Sequence, residues 1–317
     1  MNNKKIFELI FWVLMSVLMF ILITGFALTA TLFMLIAPVP FMLITRRLGP
    51  KMTAIGVLIG VSCIYLLSDP FTSIIYIITF CALGVAFGTI SLRAKNGFDY
   101  MLFSIAASVF SKIILITVFS QLTGSNPFMI DPEVTNKMIS TAANIFSKAG
   151  ISAPSLSLKD YAKILTDRLS LLMPSMLILF AAMDSLLSYC LASHIVKRLK
   201  YEPIVKMPPF GEWRCPQNIF LALLVSLAVD LASRAFPDKR QLVVISANLL
   251  EVLRAIFIIQ GLSLAWYFMT LRKVHRFFKS IFVIFGIIFS PISYILYIVG
   301  IFDICYDLRK LIRRKLK

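Results

Sequence analysis

The 317-residue chain is 59% hydrophobic and only 15% charged, against roughly 25% charged residues in soluble domains. No soluble core of this size absorbs that apolar excess, so a soluble fold is excluded. Its net charge of +17 would suit a nucleic-acid binder, but Lys and Arg gather in short connectors and at the C-terminal end. That is the positive-inside distribution of a membrane protein, and nucleic acid is not an expected partner.

The opening "MNNKKIFELIFWVLMSVLMFILITG" has a basic start and an apolar stretch without a small-residue cleavage site. It reads as a retained first helix, about 6–23. A hydrocarbon core of about 30 Å needs about 20 helical residues, and further runs of that kind recur along the chain. A second segment, about 26–44, carries Pro38 and Pro40, which remove backbone donors and predict a kink. "TRRLGPK" ends it with a basic connector. Segments at about 52–67 and 71–92 are joined by "SDP" and contain Gly56, Gly60, Gly84 and Gly88, a spacing that lets helices approach closely.

A fifth segment, about 99–122, precedes the longest connector, 123–170, whose near balance of charge places it outside. "EVTNKMISTAANIF" and "SLKDYAKILTDRL" within it read as amphipathic helices. A sixth segment, about 171–194, leads into a cytoplasmic loop, 195–216, that includes "KMPPFGEWRCP". This stretch reads either as a rigid interfacial linker or as a docking or gating loop. Pro216 predicts the start of the seventh segment, about 217–236, and the eighth spans about 241–270.

The last apolar run, about 280–301, conflicts with the charge rule: if it spans, the basic tail "DLRKLIRRKLK" faces outside. Pro291 offers an exit, allowing the run to dip in and return, or to lie across the inner leaflet. The sequence therefore predicts an all-α polytopic transmembrane bundle of about eight crossings plus one irregular or re-entrant segment near the C-terminus. Three regions follow: transmembrane helices in 1–122, the extracytoplasmic loop 123–170, and C-terminal helices with the loop and basic tail in 171–317. Both termini are expected in the cytoplasm.

Ionisable groups at mid-bilayer depth are costly, so they mark the candidate site. Lys112 and Asp184 match in depth and are possible partners, either as a structural pair or as part of a solute path. Asn248, Glu251 and Arg254 recur at i, i+3 and i+6 on the eighth segment, where Glu251 and Arg254 can pair within the helix. No metalloprotease motif, phosphate loop or serine elbow occurs. The five cysteines, Cys63, Cys81, Cys190, Cys215 and Cys305, lie far apart and read as small hydrophobes. No catalytic residue, metal site or cofactor is expected.

The strings "MPPFGEWRCP" (207–216), "QGLSLAW" (260–266) and "GIFDICYDLRK" (300–310) resemble the YybS-like family of multi-pass bacterial membrane proteins. That resemblance implies a plasma-membrane location and points to Pro209, Phe210, Trp213, Arg214, Pro216, Gln260, Gly261, Asp303, Asp307 and Arg309. It assigns them no catalytic or ligand role. The first half is also distantly similar to the solute-binding subunits of energy-coupling transporters and to the cell-shape membrane protein MreD. Two functions are open: a small-solute-binding or transporter-like protein, or a scaffold that docks a cytoplasmic protein through the 206–218 loop and the basic tail. The lipid bilayer is the common partner.

Overall fold

A computed structural model describes residues 3–124, 137, 139–141, 158–236, 238–306 and 308–310. The first amphipathic segment of the long connector, most of 123–157, Asp307 and the tail 311–317 lie outside the described residues. Among those described, the chain is helical, with seven helices long and apolar enough to cross a membrane and a bent C-terminal pair. It groups into two compact units, Met1–Pro127 with Leu177–Met207, and Phe128–Met176 with Pro208–Lys317.

The first unit starts with α1 (Asn3–Gly25), α2 (Ala27–Ile36) and α3 (Val39–Leu67). The kink expected at the prolines falls at Ala37–Pro38, between α2 and α3. Gly49 then takes φ +82°, a left-handed conformation that favours glycine, and Pro50 starts the next turn. The two arms of α3 fold back on each other: Thr53 Oγ1 donates to Thr45 Oγ1 at 3.4 Å, and Gly60 packs against Phe41. The second and third segments read from the sequence are therefore separate antiparallel arms.

Next come α4 (Pro70–Tyr76), a π-helical turn (Ile77–Ala82), α5 (Leu83–Arg93) and α6 (Gly97–Thr123). Asp69 caps α4, accepting from the Thr72 amide at 2.8 Å. The four glycines expected at close contacts are there. A Cβ on Gly84 would come 2.6 Å from the Pro38 carbonyl oxygen, and one on Gly88 2.6 Å from Thr45 Cβ. Tyr76 sits at the centre of the core, fully buried, hydrogen-bonded to Ser16 at 2.6 Å and ringed by Phe20, Phe41 and Phe80.

Helix α7 (Leu158–Arg198) is continuous, so the second amphipathic segment of the connector runs straight into the sixth membrane segment rather than forming a separate helix. Its Pro174 opens the ladder, and Asn248 fills the gap. The Asn248 amide accepts from the Ser175 N–H at 2.7 Å and donates to the Leu171 carbonyl at 2.8 Å. In an uninterrupted helix those two backbone groups would pair with each other across the turn; here Asn248 bonds both instead.

The second unit holds α8 (Asn218–Ala235), α9 (Arg240–Leu271), α10 (Arg276–Ile288) and α11 (Ser290–Tyr306). Helix α8 begins two residues beyond Pro216, whose carbonyl accepts from the Ile219 amide. The last apolar run breaks at Phe289, where α10 and α11 meet at 99°. Pro291 supplies no amide donor there, and the Ser293 hydroxyl donates to the Gly286 carbonyl at 2.7 Å instead.

Contacts along α9 give the direction of this pair. Helix α10 leaves the basic end, with Lys279 bonded to Thr270 and Gly286 packed on Leu262. Helix α11 returns in parallel with α9: Tyr297 meets Phe257, Asp303 meets Gln260, and Arg309 meets Ser263. The irregular segment is thus a bent pair whose two arms run in opposite senses along the second half of α9.

Candidate functional site

Lys112 and Asp184 come together within the first unit, as a buried ion pair between α6 and α7. The Lys112 ammonium also donates to Ser108 Oγ at 2.9 Å, and Ser108 donates to the same carboxylate oxygen at 3.0 Å. Helical spacing explains the cluster: Ser104, Ser108, Ser111 and Lys112 lie along one side of α6. Asp184 is only 5% exposed. A charge in that setting needs a partner, because an isolated one would cost several kcal/mol.

This pair lines a cavity of about 410 Å³. Leu83, Leu115, Ile116, Leu177 and Phe180 form apolar walls, and Thr79 and Ser111 add hydroxyls. Thr79 lies on the π-helical turn. The Ile78 carbonyl on that turn accepts from Ser111 Oγ at 3.2 Å, where the regular ladder has been interrupted. Such turns recur at functional sites because they aim backbone and side-chain groups off the helical register. Sequence reading singled out the two charges but not Thr79, since a π turn has no sequence signature.

Asn248, Glu251 and Arg254 belong to the second unit. Asn248 is occupied by the α7 backbone, as described above. Glu251 and Arg254 pair within α9 at 3.7 Å, with side chains 36% and 47% exposed. They line no part of the Lys112–Asp184 cavity.

The family-like residues converge, Asp307 excepted because it lies outside the described residues. Arg309 is 1% exposed and acts as a clamp on the loop before α8. Its guanidinium donates to the Gly211 carbonyl at 2.5 Å, the Trp213 carbonyl at 3.0 Å and Ser263 Oγ at 3.0 Å. The Asp303 carboxylate lies 3.4 Å from Arg309 Nε and accepts from Gln260 Nε2 at 2.6 Å. Gln260 Oε1 accepts in turn from the Cys215 amide at 3.0 Å. A planar fork suits this task, because one side chain reaches several oxygens in fixed directions.

Phe210 packs edge-on against Trp213 and Trp266, and the Trp213 indole donates to the Pro208 carbonyl at 2.9 Å. Gly211 lies under Trp266 and Tyr267. Pro209, Arg214 and Pro216 face outward. Gly261 and Gly300 bring α9 and α11 into backbone contact: a Cβ on either would overlap a carbonyl oxygen, of Leu296 or of Phe257. Sequence reading missed Ser263, Trp266, Lys279 and Gly300 as parts of this assembly. Lys279 is buried over the Trp266 ring, 5.6 Å from its centroid.

The other half of the loop is held by the first unit. Tyr189 OH donates to the Val205 carbonyl at 2.8 Å and accepts from the Met207 amide at 2.9 Å. Arg46 donates to the Glu202 and Pro203 carbonyls at 3.1 and 2.7 Å. Residues 201–207 are thus tied to one unit and residues 208–215 to the other, and the paired prolines Pro208 and Pro209 begin the second portion. Among the described residues, no group of three His, Cys, Asp or Glu side chains forms a metal site.

Comparison with known proteins agrees that the chain is a membrane protein. The family model described as "Predicted membrane protein (DUF2232)" matches residues 13–304. The uncharacterized protein YybS of Bacillus subtilis (strain 168) is 23% identical over 292 residues, covering 89% of this chain and 90% of that protein. No solved structure gives a significant match. With most of its length matched, and with the strings that carried the resemblance meeting around Arg309, the chain belongs to the DUF2232 family of predicted membrane proteins.

Proposed function

We propose that this multi-pass membrane protein binds a small solute in the cavity beside Lys112 and Asp184. One observation carries the reading: the buried ion pair of the first unit borders about 410 Å³ of space instead of being sealed by packed side chains. Pockets of roughly 300–1,000 Å³ with apolar walls and a few convergent polar groups are the usual form of small-ligand sites. The basic connectors orient the protein with both termini in the cytoplasm.

The test is thermal unfolding of the purified full-length protein against a library of small solutes. A stabilising solute is expected, and Asp184→Asn should abolish its effect while leaving a folded protein. Absence of any stabilising compound would count against the reading.

A second reading, a scaffold for a cytoplasmic protein, is favoured by the anchored loop. Its backbone is fixed by Arg309 and Ser263, while Lys206, Glu212 and Arg214 point outward. Rigid presentation of side chains reduces the ordering cost of binding. Crosslinking from an Arg214→Cys variant in cells should then trap a reproducible partner at native expression.

A further inference from the structure

The charge arrangement in the cavity narrows the chemistry of the solute. We infer that it is a small zwitterion with an apolar body, an amino-acid-like molecule whose carboxylate engages Lys112 and whose ammonium engages Asp184. This inference rests on the solute-binding reading above and deepens it.

The argument is one of charge balance. Lys112 and Asp184 lie side by side on the cavity wall, of opposite sign and each buried or nearly so. A zwitterion that enters between them replaces one ion pair with two, so every charge keeps a partner. A carboxylate without an amine would take Lys112 and leave Asp184 with Ser108 as its remaining hydrogen-bond donor among the described residues. An amine without a carboxylate would take Asp184 and strand Lys112 in the same way. Stranding a buried charge is far more costly than never having buried the pair. The rest of the cavity suits the apolar body, since Leu83, Leu115, Ile116, Leu177 and Phe180 present hydrocarbon. Ser108 remains in place to hold whichever charge faces it, so the exchange needs no rearrangement of α6.

The test uses purified full-length protein and three matched sets of probes. Each set contains an apolar amino acid (leucine, methionine or phenylalanine), its deaminated carboxylic acid and its decarboxylated amine. Binding is read by thermal shift and by calorimetry. At least one amino acid should bind about 100-fold more tightly than both of its one-charge counterparts, on the scale set by an unpaired buried charge.

Equal binding of an acid or an amine would overturn the zwitterion assignment while leaving solute binding intact. Failure of all nine probes, when another compound of the wider library does bind, would overturn it too. Failure of every compound in that library would overturn the solute reading itself.

Because Asp184→Asn leaves Lys112 without its partner, a double variant, Lys112→Met with Asp184→Met, guards against a trivial loss of fold. Replacing a buried ion pair by apolar side chains is commonly neutral or stabilising. This variant should fold and lose the preference for the zwitterion. Undiminished zwitterion binding by the folded double variant would refute the inference.

Discussion

The two units each bury an Asp beside a basic side chain, yet they use the charges differently. In the first, Lys112 and Asp184 have each other, one serine and open space. In the second, Arg309, Asp303 and Gln260 spend their hydrogen bonds on loop carbonyls, a backbone amide and one another. Burial of charge alone therefore does not mark a binding site. What surrounds the charge does: a cavity leaves its bonds exchangeable, whereas backbone partners fix a fold.

Perturbing the second unit should have the largest structural effects. Gly300→Ala forces a methyl group into the Phe257 carbonyl, and α9 and α11 must separate. Overpacking typically costs about 1–3 kcal/mol, and contact with backbone rather than a movable side chain places this variant at about 3 kcal/mol or beyond. Thermal unfolding in detergent measures it. Arg309→Ala should follow closely, at roughly 3–5 kcal/mol, because it leaves Asp303 buried without its cation. Arg309→Lys should recover only part of that loss, since an ammonium cannot span the Gly211 and Trp213 carbonyls as a fork does.

The first unit should be more forgiving. Asp184→Asn is expected to cost about 1–3 kcal/mol, less than Arg309→Ala, because space beside Lys112 admits water or a solute group. Its main effect is the loss of solute-dependent stabilisation. A larger destabilisation by Asp184→Asn than by Arg309→Ala would break the contrast between the units. Asn248→Ala should also cost about 1–3 kcal/mol by leaving the Leu171 and Ser175 backbone groups unsatisfied.

The smallest effect is expected from Asp69→Ala. This exposed helix cap has a carboxyl held below its ordinary range, first by the Thr72 amide and then by the Thr72 hydroxyl. Its lowered folded-state pKa makes the cap's contribution present above the unfolded pKa and lost as pH falls through the folded one. Asp69→Ala should accordingly weaken the pH dependence of stability in the acid range, measured against the parent protein.

Much of this contrast was legible from residues. Hydropathy and the positive-inside pattern gave the helices, Pro38 and Pro291 gave the breaks, and depth alone suggested Lys112 with Asp184. Glycine spacing identified the close contacts of Gly56, Gly60, Gly84 and Gly88. A break in the last apolar run was one of several exits from the charge conflict, and only the contacts along α9 give the direction of its two arms.

Other features had no local signal. Asn248 completes a turn broken at Pro174, a role defined by backbone groups more than 70 positions away. Arg309 and Gly211 are similarly remote in sequence, so three strings that carried a family resemblance gave no indication that they form one clamp. The cavity was unreadable too, because empty space depends on how side chains from several helices fail to meet.

Thiol accessibility tests the distinction between the units most directly. With the five native cysteines replaced, Thr79→Cys places a thiol on the cavity wall and Ser263→Cys places one inside the Arg309 clamp. A small water-borne thiol reagent should modify the first in the folded protein and the second only after denaturation. Equal reactivity at both positions, or an inert Thr79→Cys, would contradict the account.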